Sequence, residues 1–208
     1  MTAFSPPPPA SSSPAWLTDL LERGRCPDPS GPWRPGPSAA ARAATVRDVR
    51  DGLLRRVVGD VVVAAGVQAD TGVRARALGL LVPPGAVVVG WAAAWVHVGA
   101  PLPPPQQVQV VRPGAARHRS VGGVRLVASR CLLDEREVVD VAGLALTCPA
   151  RTLLDVARTA PRSAARLREL LTASGVDSGD VELAVRRARG RAHVRTARRA
   201  LAAAPVGR

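Results

Sequence analysis

The stretch Thr147–Thr159, "TCPARTLLDVART", marks a change from an extended segment to a helix. Pro149 suits the first helical turn, where its missing N–H would have no partner. Thr147 or Cys148 is then the N-cap, and Thr is the chemically better cap. The stretch therefore predicts a core helix that directly follows a strand. The apolar residues that share one face at helical spacing are Leu153, Leu154 and Ala157.

The charged residues of this stretch also have helical spacing. Arg151 and Asp155 stand four residues apart, so they can form an ion pair, which at an exposed site contributes only a few tenths of a kcal/mol. A structural junction between strand and helix explains Arg151, Thr152 and Asp155 better than catalysis does.

Outward from this junction, the chain alternates strand and helix signals and ends in helices. A helix is expected at 71–82, strands at 86–89, 107–112, 123–129 and 144–147, and further helices from Pro161 to Gly175, after Asp177 or Ser178, and over 191–204. The fold class is α+β, with a small mixed sheet packed against a helical C-terminal region. The predicted buried residues are Val87, Val89, Val108, Val110, Val124, Leu126, Leu144, Leu146, Leu153 and Leu154.

The composition is basic and strongly biased. The 208 residues are 47% hydrophobic, carry a net charge of +13, and include no Lys, so all 29 basic residues are Arg. This bias is typical of a GC-rich genome, and it weakens Arg as a sign of phosphate recognition. More than half of the excess lies in residues 161–208, with 11 Arg against 4 acidic residues. A polyanionic partner and an ordinary solvated helix surface both explain that charge.

Several site classes are excluded by spacing. The cysteines and histidines show neither CxxC nor HxxxH spacing, which argues against a zinc site and a disulfide framework; they are Cys26, Cys131, Cys148, His97, His118 and His193. Cys131 next to Arg130 could have a lowered pKa, but a buried Cys at a strand end is more usual. His97 lies in an apolar run, which favours a hydrogen-bonded packing residue.

No segment has the pattern of a signal peptide or a membrane span. The start, "MTAFSPPPPASSSPAW", lacks a basic region followed by an apolar one. The apolar run 85–100 has only 16 residues, whereas a spanning helix needs about 20. A reduced, cytoplasmic protein without membrane contact is expected.

The first part of the chain is rich in proline. Residues 1–37 are predicted to be a disordered linker with one short helix at 15–24, where Trp16, Leu17, Leu20 and Leu21 share a face. Within this region, 1–14 and 26–37 should lack regular structure.

A helix followed by a basic hairpin comes next. Residues 39–52 predict a helix that ends at Gly52, with Val46, Val49 and Leu53 facing inward, and 53–66 predicts two strands around Gly59 and Asp60. This order is found at the end of a winged helix-turn-helix, whose helix enters the major groove while the hairpin contacts the backbone. The candidate DNA-binding residues are Arg42, Arg47, Arg50, Arg55 and Arg56.

The interleaved Asp48 and Asp51 would repel phosphate, so an alternative stays open. In it the winged helix is degenerate, and a basic tail binds an acidic protein or nucleic acid nonspecifically. The residues of that tail are Arg186, Arg187, Arg189, Arg191, Arg195, Arg198 and Arg199.

From about residue 46 to 203 the chain resembles the AbiEi-type antitoxins of type IV toxin–antitoxin systems, in their actinobacterial form. The stretch "VRDGLLRRVVGDVVVAAG" resembles the family's wing, and "GWAAAWVHVGAP" resembles its "S-H-x-S-A-A-x-L-H-G-L". "LTCPARTLLDVAR" resembles "V-T-S-P-A-R-T-L-L-D-L-A", which is the most specific match. Composition and the resemblance together divide the chain into a linker (1–37), a partial winged-helix-like segment (38–66) and an α+β C-terminal domain (67–203).

The resemblance implies a transcriptional regulator that binds operator DNA and takes part in neutralising a nucleotidyltransferase-like toxin. Many actinobacterial relatives continue into a nuclease-like domain similar to very-short-patch repair endonucleases, and this sequence is expected to lack it. No Ser/His/Asp or Cys/His arrangement, paired carboxylate or phosphate-binding loop points to an enzyme. No catalytic residue, metal, cofactor or small-molecule substrate is therefore expected.

Overall fold

The structure is a computed structural model of the chain, and it describes residues 31–99, 102–112, 119–173, 175–188, 190 and 192–202. The helices in these ranges are α1 (Ala39–Arg50), α2 (Thr71–Gly79), α3 (Gly90–Val98), α4 (Pro149–Thr159), α5 (Pro161–Ala173), α6 (Ser178–Arg187) and α7 (Val194–Ala202). The strands are β1 (Leu54–Val58), β2 (Val61–Ala64), β3 (Val87–Val89), β4 (Gln107–Val111), β5 (Arg119–Val121), β6 (Val124–Ala128), β7 (Val138–Val141) and β8 (Leu144–Thr147). A short 3-10 helix, Glu135–Glu137, precedes β7.

Six strands form one mixed sheet in the order β5-β6-β4-β3-β8-β7. The pairs β5–β6, β3–β4 and β7–β8 are antiparallel, whereas β4–β6 and β3–β8 are parallel. In the parallel β3–β8 pair, Val88 lies opposite Leu146. Helix α3 begins directly after β3, and α4 begins one residue after β8. Both helices therefore leave the same edge of the sheet, where they pack against each other.

Strands β1 and β2 form a separate antiparallel hairpin whose tip contacts the main sheet. The Asp60 N–H donates to the Gly122 carbonyl oxygen, 2.8 Å away, in the turn between β5 and β6. Gly59 has a φ of +57°, and a Cβ at this position would overlap that same carbonyl oxygen. Glycine is therefore required at Gly59 both by its backbone conformation and by the close approach of the two turns.

Two hydrophobic clusters stabilise the fold, and α3 contributes to both. The first cluster joins the hairpin and α2 to the sheet, and it includes Val57, Val58, Val61, Val63, Leu78, Val88, Val110 and Leu146. The second joins helices α4 to α7, and it includes Leu153, Leu154, Leu167, Leu171, Val185 and Leu201. Small residues suit α3 to its place between the clusters: Ala92 and Ala93 belong to the first and Ala94 to the second.

The structure confirms the predicted α+β fold class, with a helix and hairpin in the order of a partial winged helix. It also contains the predicted strands at β3, β4, β6 and β8 and the predicted C-terminal helices. Strands β5 and β7 were not predicted. Each is an edge strand of three or four residues, too short for an alternating pattern to stand out.

The predicted core residues are buried except for one. Val87 is only half-buried, while Val88, which was not predicted, is fully buried. Strand β3 is central and covered on both faces, so its consecutive residues Val88 and Val89 are both buried. Strict alternation of burial is expected only for a strand with one exposed face.

The preference for Thr147 as the N-cap of α4 was wrong. Cys148 is the N-cap, and its side chain makes no capping hydrogen bond. Thr147 is the last residue of β8, and its hydroxyl lies 2.7 Å from the Thr152 hydroxyl. The Thr152 hydroxyl also donates to the Thr147 carbonyl oxygen at 3.0 Å. The threonine thus connects strand and helix from within the strand.

The predicted inner face of α1 was also wrong. None of the residues of α1 is buried, Val46 is 53% exposed, and Leu53 just beyond the helix is 64% exposed. The spacing of apolar residues identifies which of them share a face, but it does not show that another element covers that face. Val49 is half-buried.

Some predictions fall on residues outside the described ranges. They concern 1–14, the helix at 15–24 and the first part of the 26–37 linker. Residues 31–37 contain no helix and only one isolated bridge, between Trp33 and Val62. None of the helices in the described part of the chain has both the length and the hydropathy needed to cross a bilayer.

Replacing Leu153 with Ala tests the second hydrophobic cluster. Leu153 is fully buried, so Leu153→Ala should lower the free energy of unfolding by about 2–5 kcal/mol. Leu132 is 76% exposed, and Leu132→Ala should change the free energy of unfolding by less than about 0.5 kcal/mol. Urea denaturation measures both. Equal stability of the two variants would contradict the assignment of Leu153 to the core.

Candidate nucleic-acid interface

Local sequence fixes the position of α1 relative to the hairpin. Ser38 caps α1, and its hydroxyl accepts from the Ala41 N–H at 3.0 Å. At the other end, Gly52 has a φ of +76°, which ends the helix and turns the chain into β1. Helix α1 packs against β1, so the arginines of both elements belong to one region of the protein.

All five arginines proposed for DNA contact are exposed, and they differ in their partners. On α1, the side chain of Arg42 donates to the Pro37 carbonyl oxygen, and Arg50 forms a 3.1 Å ion pair with the exposed Asp51. On β1, Arg55 donates to the Val67 carbonyl oxygen at 2.7 Å. The remaining two, Arg47 and Arg56, form no ion pair or hydrogen bond with any described residue.

The hairpin tip is held by contacts on two sides. Arg34 donates from Nε and from one terminal nitrogen to the Asp60 carboxylate, at 3.0 and 2.9 Å. This hydrogen bond with Asp60 is the main reason why the pKa of Arg34 is raised. The Asp60 backbone is bound to Gly122. The exposed flank of β1, with Arg55 and Arg56, is therefore the part of the hairpin that can reach a ligand.

The basic tail lies on two helices. Arg186 and Arg187 are exposed at the end of α6, and Arg186 forms a 3.5 Å ion pair with Glu182. The exposed arginines of α7 are Arg195, Arg198 and Arg199; Arg189 and Arg191 lie outside the described residues. A surface cavity of about 430 Å³ between α5, α6 and α7 is lined by Arg168, Arg186 and Arg198 above Val181, Val185 and Leu201.

The strand–helix junction contains the most deeply buried charge. Arg151 is fully buried, and its Nε lies 3.1 Å from each carboxylate oxygen of Asp155. One terminal nitrogen forms an ion pair with Glu137, and the terminal nitrogens also approach the Leu132 carbonyl oxygen at 3.3 and 3.4 Å. The predicted Arg151–Asp155 pair is present, but its assumed exposure was wrong. Glu137 stands among other charged residues in the sequence, yet it is only 2% exposed.

Asp155 binds a second arginine. Arg158 lies 3.3 Å from Asp155 and also donates to the Ala192 carbonyl oxygen at 2.9 Å. Burial raises the pKa of Asp155 above its usual value, while the positive charges of Arg151 and Arg158 oppose that rise. Both arginines therefore favour the ionised form of a carboxylate that burial disfavours. Arg158 also links α4 to the segment that precedes α7.

His97 is the hydrogen-bonded packing residue that its apolar surroundings predicted. Its Nε2 lies 2.8 Å from the Thr147 carbonyl oxygen. A carbonyl oxygen can only accept, so Nε2 carries the proton. Burial lowers the pKa of His97, and the positive charge of Arg74 lowers it further, against the raising effect of this hydrogen bond. Arg74 is itself nearly buried and donates to the Val96 carbonyl oxygen at the end of α3.

The described residues show no arrangement typical of metal chemistry. No group of three or more His, Cys, Asp or Glu side chains among them could hold a metal ion. Cys131 was expected to be buried at a strand end, but it is only half-buried. It lines a cavity of about 270 Å³ together with Gln109, Arg158 and His193.

The Glu137–Arg151 pair was missed from the sequence because the two residues come from distant segments.

Comparison with known proteins identifies the C-terminal part of the chain. The model of the family described as the AbiEi antitoxin C-terminal domain matches residues 86–203. This range runs from the start of β3 to just beyond α7, so it covers the whole six-stranded sheet and helices α3 to α7. No curated protein and no solved structure gives a significant match.

Removing the buried guanidinium should strongly destabilise the protein. Arg151→Ala removes the buried cation that Glu137 and Asp155 share and leaves Asp155 with Arg158, so the free energy of unfolding should fall by about 3–5 kcal/mol. Arg166→Ala removes an exposed pair with Glu169 and should cost at most about 1 kcal/mol. Denaturant unfolding at pH 7 measures both changes. If Arg151→Ala leaves the free energy of unfolding nearly unchanged, the network contributes little to stability.

His97 should make stability depend on pH near neutrality. At a pH above 6.5, the ordinary pKa of histidine, the His97 ring is neutral in both the folded and the unfolded state. Below it the unfolded chain binds a proton first, because folding lowers the pKa of His97, so stability is lost as pH falls. Each unit of lowering corresponds to about 1.4 kcal/mol once pH is below the folded value.

The matched variant is His97→Gln, which retains an N–H donor for the Thr147 carbonyl oxygen but does not titrate. Between pH 7.5 and 5.5 the wild-type protein should lose more stability than His97→Gln, measured by urea unfolding at each pH. Parallel pH profiles for the two proteins would remove His97 as the cause.

Proposed function

Because the chain belongs to the AbiEi antitoxin family, we propose that it is a non-catalytic antitoxin that binds operator DNA through α1 and the β1–β2 hairpin. The observation that carries the proposal is the exposure of five arginines on two elements that pack together, immediately before the family domain. Arginines at the surface of a helix and an adjoining strand can bind the phosphates on both sides of a groove.

The anchored hairpin tip determines how this surface would meet a duplex. Because the Gly59–Asp60 turn lies against Gly122, the tip is not available to enter the minor groove. The flank of β1 remains, with Arg55 and Arg56, next to Arg47 and Arg50 on α1. Asp51 already neutralises Arg50 in part, so Arg47 and Arg56 are the arginines most available to phosphate.

We also propose that the partner in the cell is a nucleotidyltransferase-like toxin, and that the protein is of the actinobacterial type. The family assignment supports a toxin partner, and the replacement of every Lys by Arg is typical of GC-rich genomes. A nucleotidyltransferase-like reading frame beside this one would support the pairing. The rival surface is the basic tail on α6 and α7, which would bind an acidic protein or nucleic acid without sequence preference.

The salt dependence of DNA binding distinguishes the two surfaces. Each phosphate contact contributes about 0.9 to the slope of log affinity against log salt concentration. Arg55→Ala together with Arg56→Ala should therefore flatten the slope by roughly 2. Fluorescence anisotropy with a labelled duplex from upstream of the gene, at several salt concentrations, measures it.

The matched control is Arg198→Ala together with Arg199→Ala, which removes the same charge from the exposed side of α7. Point variants are preferable to removing the tail, because Val194, Ala197 and Leu201 of α7 belong to the second hydrophobic cluster. The control should leave the slope unchanged. If the control flattens the slope and the β1 variant does not, the tail is the binding surface and the proposed DNA interface is wrong.

A further inference from the structure

A polar cavity of about 270 Å³ lies between the sheet, α4 and the segment just before α7, and the proposed DNA interface does not use it. Val89 is the one aliphatic residue among the described residues that line it. The polar side chains come from β4, the β6–β7 connection, α4 and the segment before α7, and they include Gln109, Ser129, Arg130, Cys131, Arg158 and His193. Sites for apolar ligands have mostly hydrophobic walls, so this cavity suits a polar ligand.

The two arginines of the cavity can both donate to an anion. Arg130 is exposed and forms no ion pair or hydrogen bond with any described residue. Arg158 uses Nε for the Ala192 carbonyl oxygen and Nη1 for Asp155, which leaves its Nη2 without a partner in the described part of the chain. Guanidinium groups bind the oxygens of phosphates and carboxylates through their N–H groups. The cavity therefore offers two cationic donors from two separate segments.

The carboxylate in the cavity does not cancel this charge. Asp155 lines the cavity, but both of its oxygens lie 3.1 Å from Arg151 Nε, and one of them also accepts from Arg158. Arg130 and Arg158 against Asp155 give the lining a net charge of +1 while His193 is neutral. A carboxylate that already binds two guanidinium groups is a poor ligand for a cation. The charge therefore favours an anion.

Neutral groups add further donors. The Gln109 amide and the His193 ring form no hydrogen bond with any described residue, and the Ser129 hydroxyl accepts from the Cys131 N–H at a long 3.4 Å. Together with the two arginines, these groups outnumber the two oxygens of a carboxylate. A terminal phosphate presents three strongly accepting oxygens. The number of donors thus favours a phosphate group over a carboxylate.

We infer that this cavity binds a terminal phosphate group, either inorganic phosphate or the phosphate of a small ester, through Arg130, Arg158 and Gln109. Pockets for drug-sized ligands measure about 300–1,000 Å³, so a cavity of about 270 Å³ suits a smaller molecule. A phosphate within duplex DNA is linked to a sugar on each side, and the double helix cannot enter such a cavity. The inference therefore concerns a site separate from the proposed DNA interface, and it is tested without DNA binding.

Alkylation of Cys131 reports on the interior of the cavity. A bound phosphate should shield this thiol from iodoacetamide, which is uncharged, and at ten times the dissociation constant the alkylation rate should fall about tenfold. Inorganic phosphate is titrated at constant ionic strength, and mass spectrometry of peptides follows each cysteine separately. Cys148 is also half-buried but lines a different cavity, so its rate should not change.

Arg130→Gln removes one cation from the cavity without breaking any contact with a described residue. The phosphate concentration that gives half-maximal protection of Cys131 should rise roughly tenfold, because hydrogen bonds between charged groups are the strong ones. The matched control is Arg76→Gln, which removes the same charge from an exposed position on α2 that does not line the cavity. This control should leave the half-maximal concentration unchanged.

Absence of protection by phosphate would overturn the inference, as would an equal effect of the Arg130 and Arg76 variants. Equal protection by acetate would replace the phosphate with a carboxylate, and protection by duplex DNA would place the nucleic acid itself at the cavity, so either result would also overturn it. Glycerol 3-phosphate distinguishes the two sources of phosphate. Protection at lower concentrations than with inorganic phosphate would identify an ester as the ligand, and the reverse order would identify the free ion.

Discussion

The burial of Arg151 is the constraint on which the centre of the fold depends. A guanidinium removed from water is tolerated only if carboxylates and carbonyl oxygens surround it. Asp155 comes from the same helix, whereas Glu137 and the Leu132 carbonyl come from the segment between β6 and β7. The β6–β7 connection, the edge of the sheet and α4 must therefore take their positions together. A change in any one of them would leave a buried charge without its partner.

The hydrogen bonds beside this network extend it to α3. The Thr147 carbonyl oxygen accepts from His97 on α3 and from the Thr152 hydroxyl on α4. One peptide group at the end of β8 thus links the two helices that leave the same edge of the sheet. The stretch "TCPARTLLDVART" therefore supplies the contacts of this junction, because Thr147, Arg151, Thr152 and Asp155 each bind another part of it.

Periodicity and turn residues were sufficient to predict the α+β class, the main strands and the C-terminal helices, because these signals are local. The sequence could not show which charged residues are buried. Glu137 stands among other charged residues, and only its pairing with distant Arg151 reveals its role. The exposure of Val46 was missed for a similar reason, because spacing identifies the residues that share a helix face but not whether another element packs on that face. At the candidate DNA surface, the exposure of the arginines was expected from the sequence and their contact with DNA stays a prediction, whereas the anchoring of the hairpin tip at Gly122 could not be predicted.

The packing of the hairpin against the sheet has a consequence for folding during synthesis. The hairpin leaves the ribosome early, yet its buried valines, such as Val57 and Val61, share a cluster with Leu146 of β8. About 85 further residues must be translated before that strand exists, which at typical rates takes roughly 4–17 s. During this interval an apolar hairpin has no sheet to cover it and can pair with other chains. The nascent protein should therefore need a chaperone during this interval.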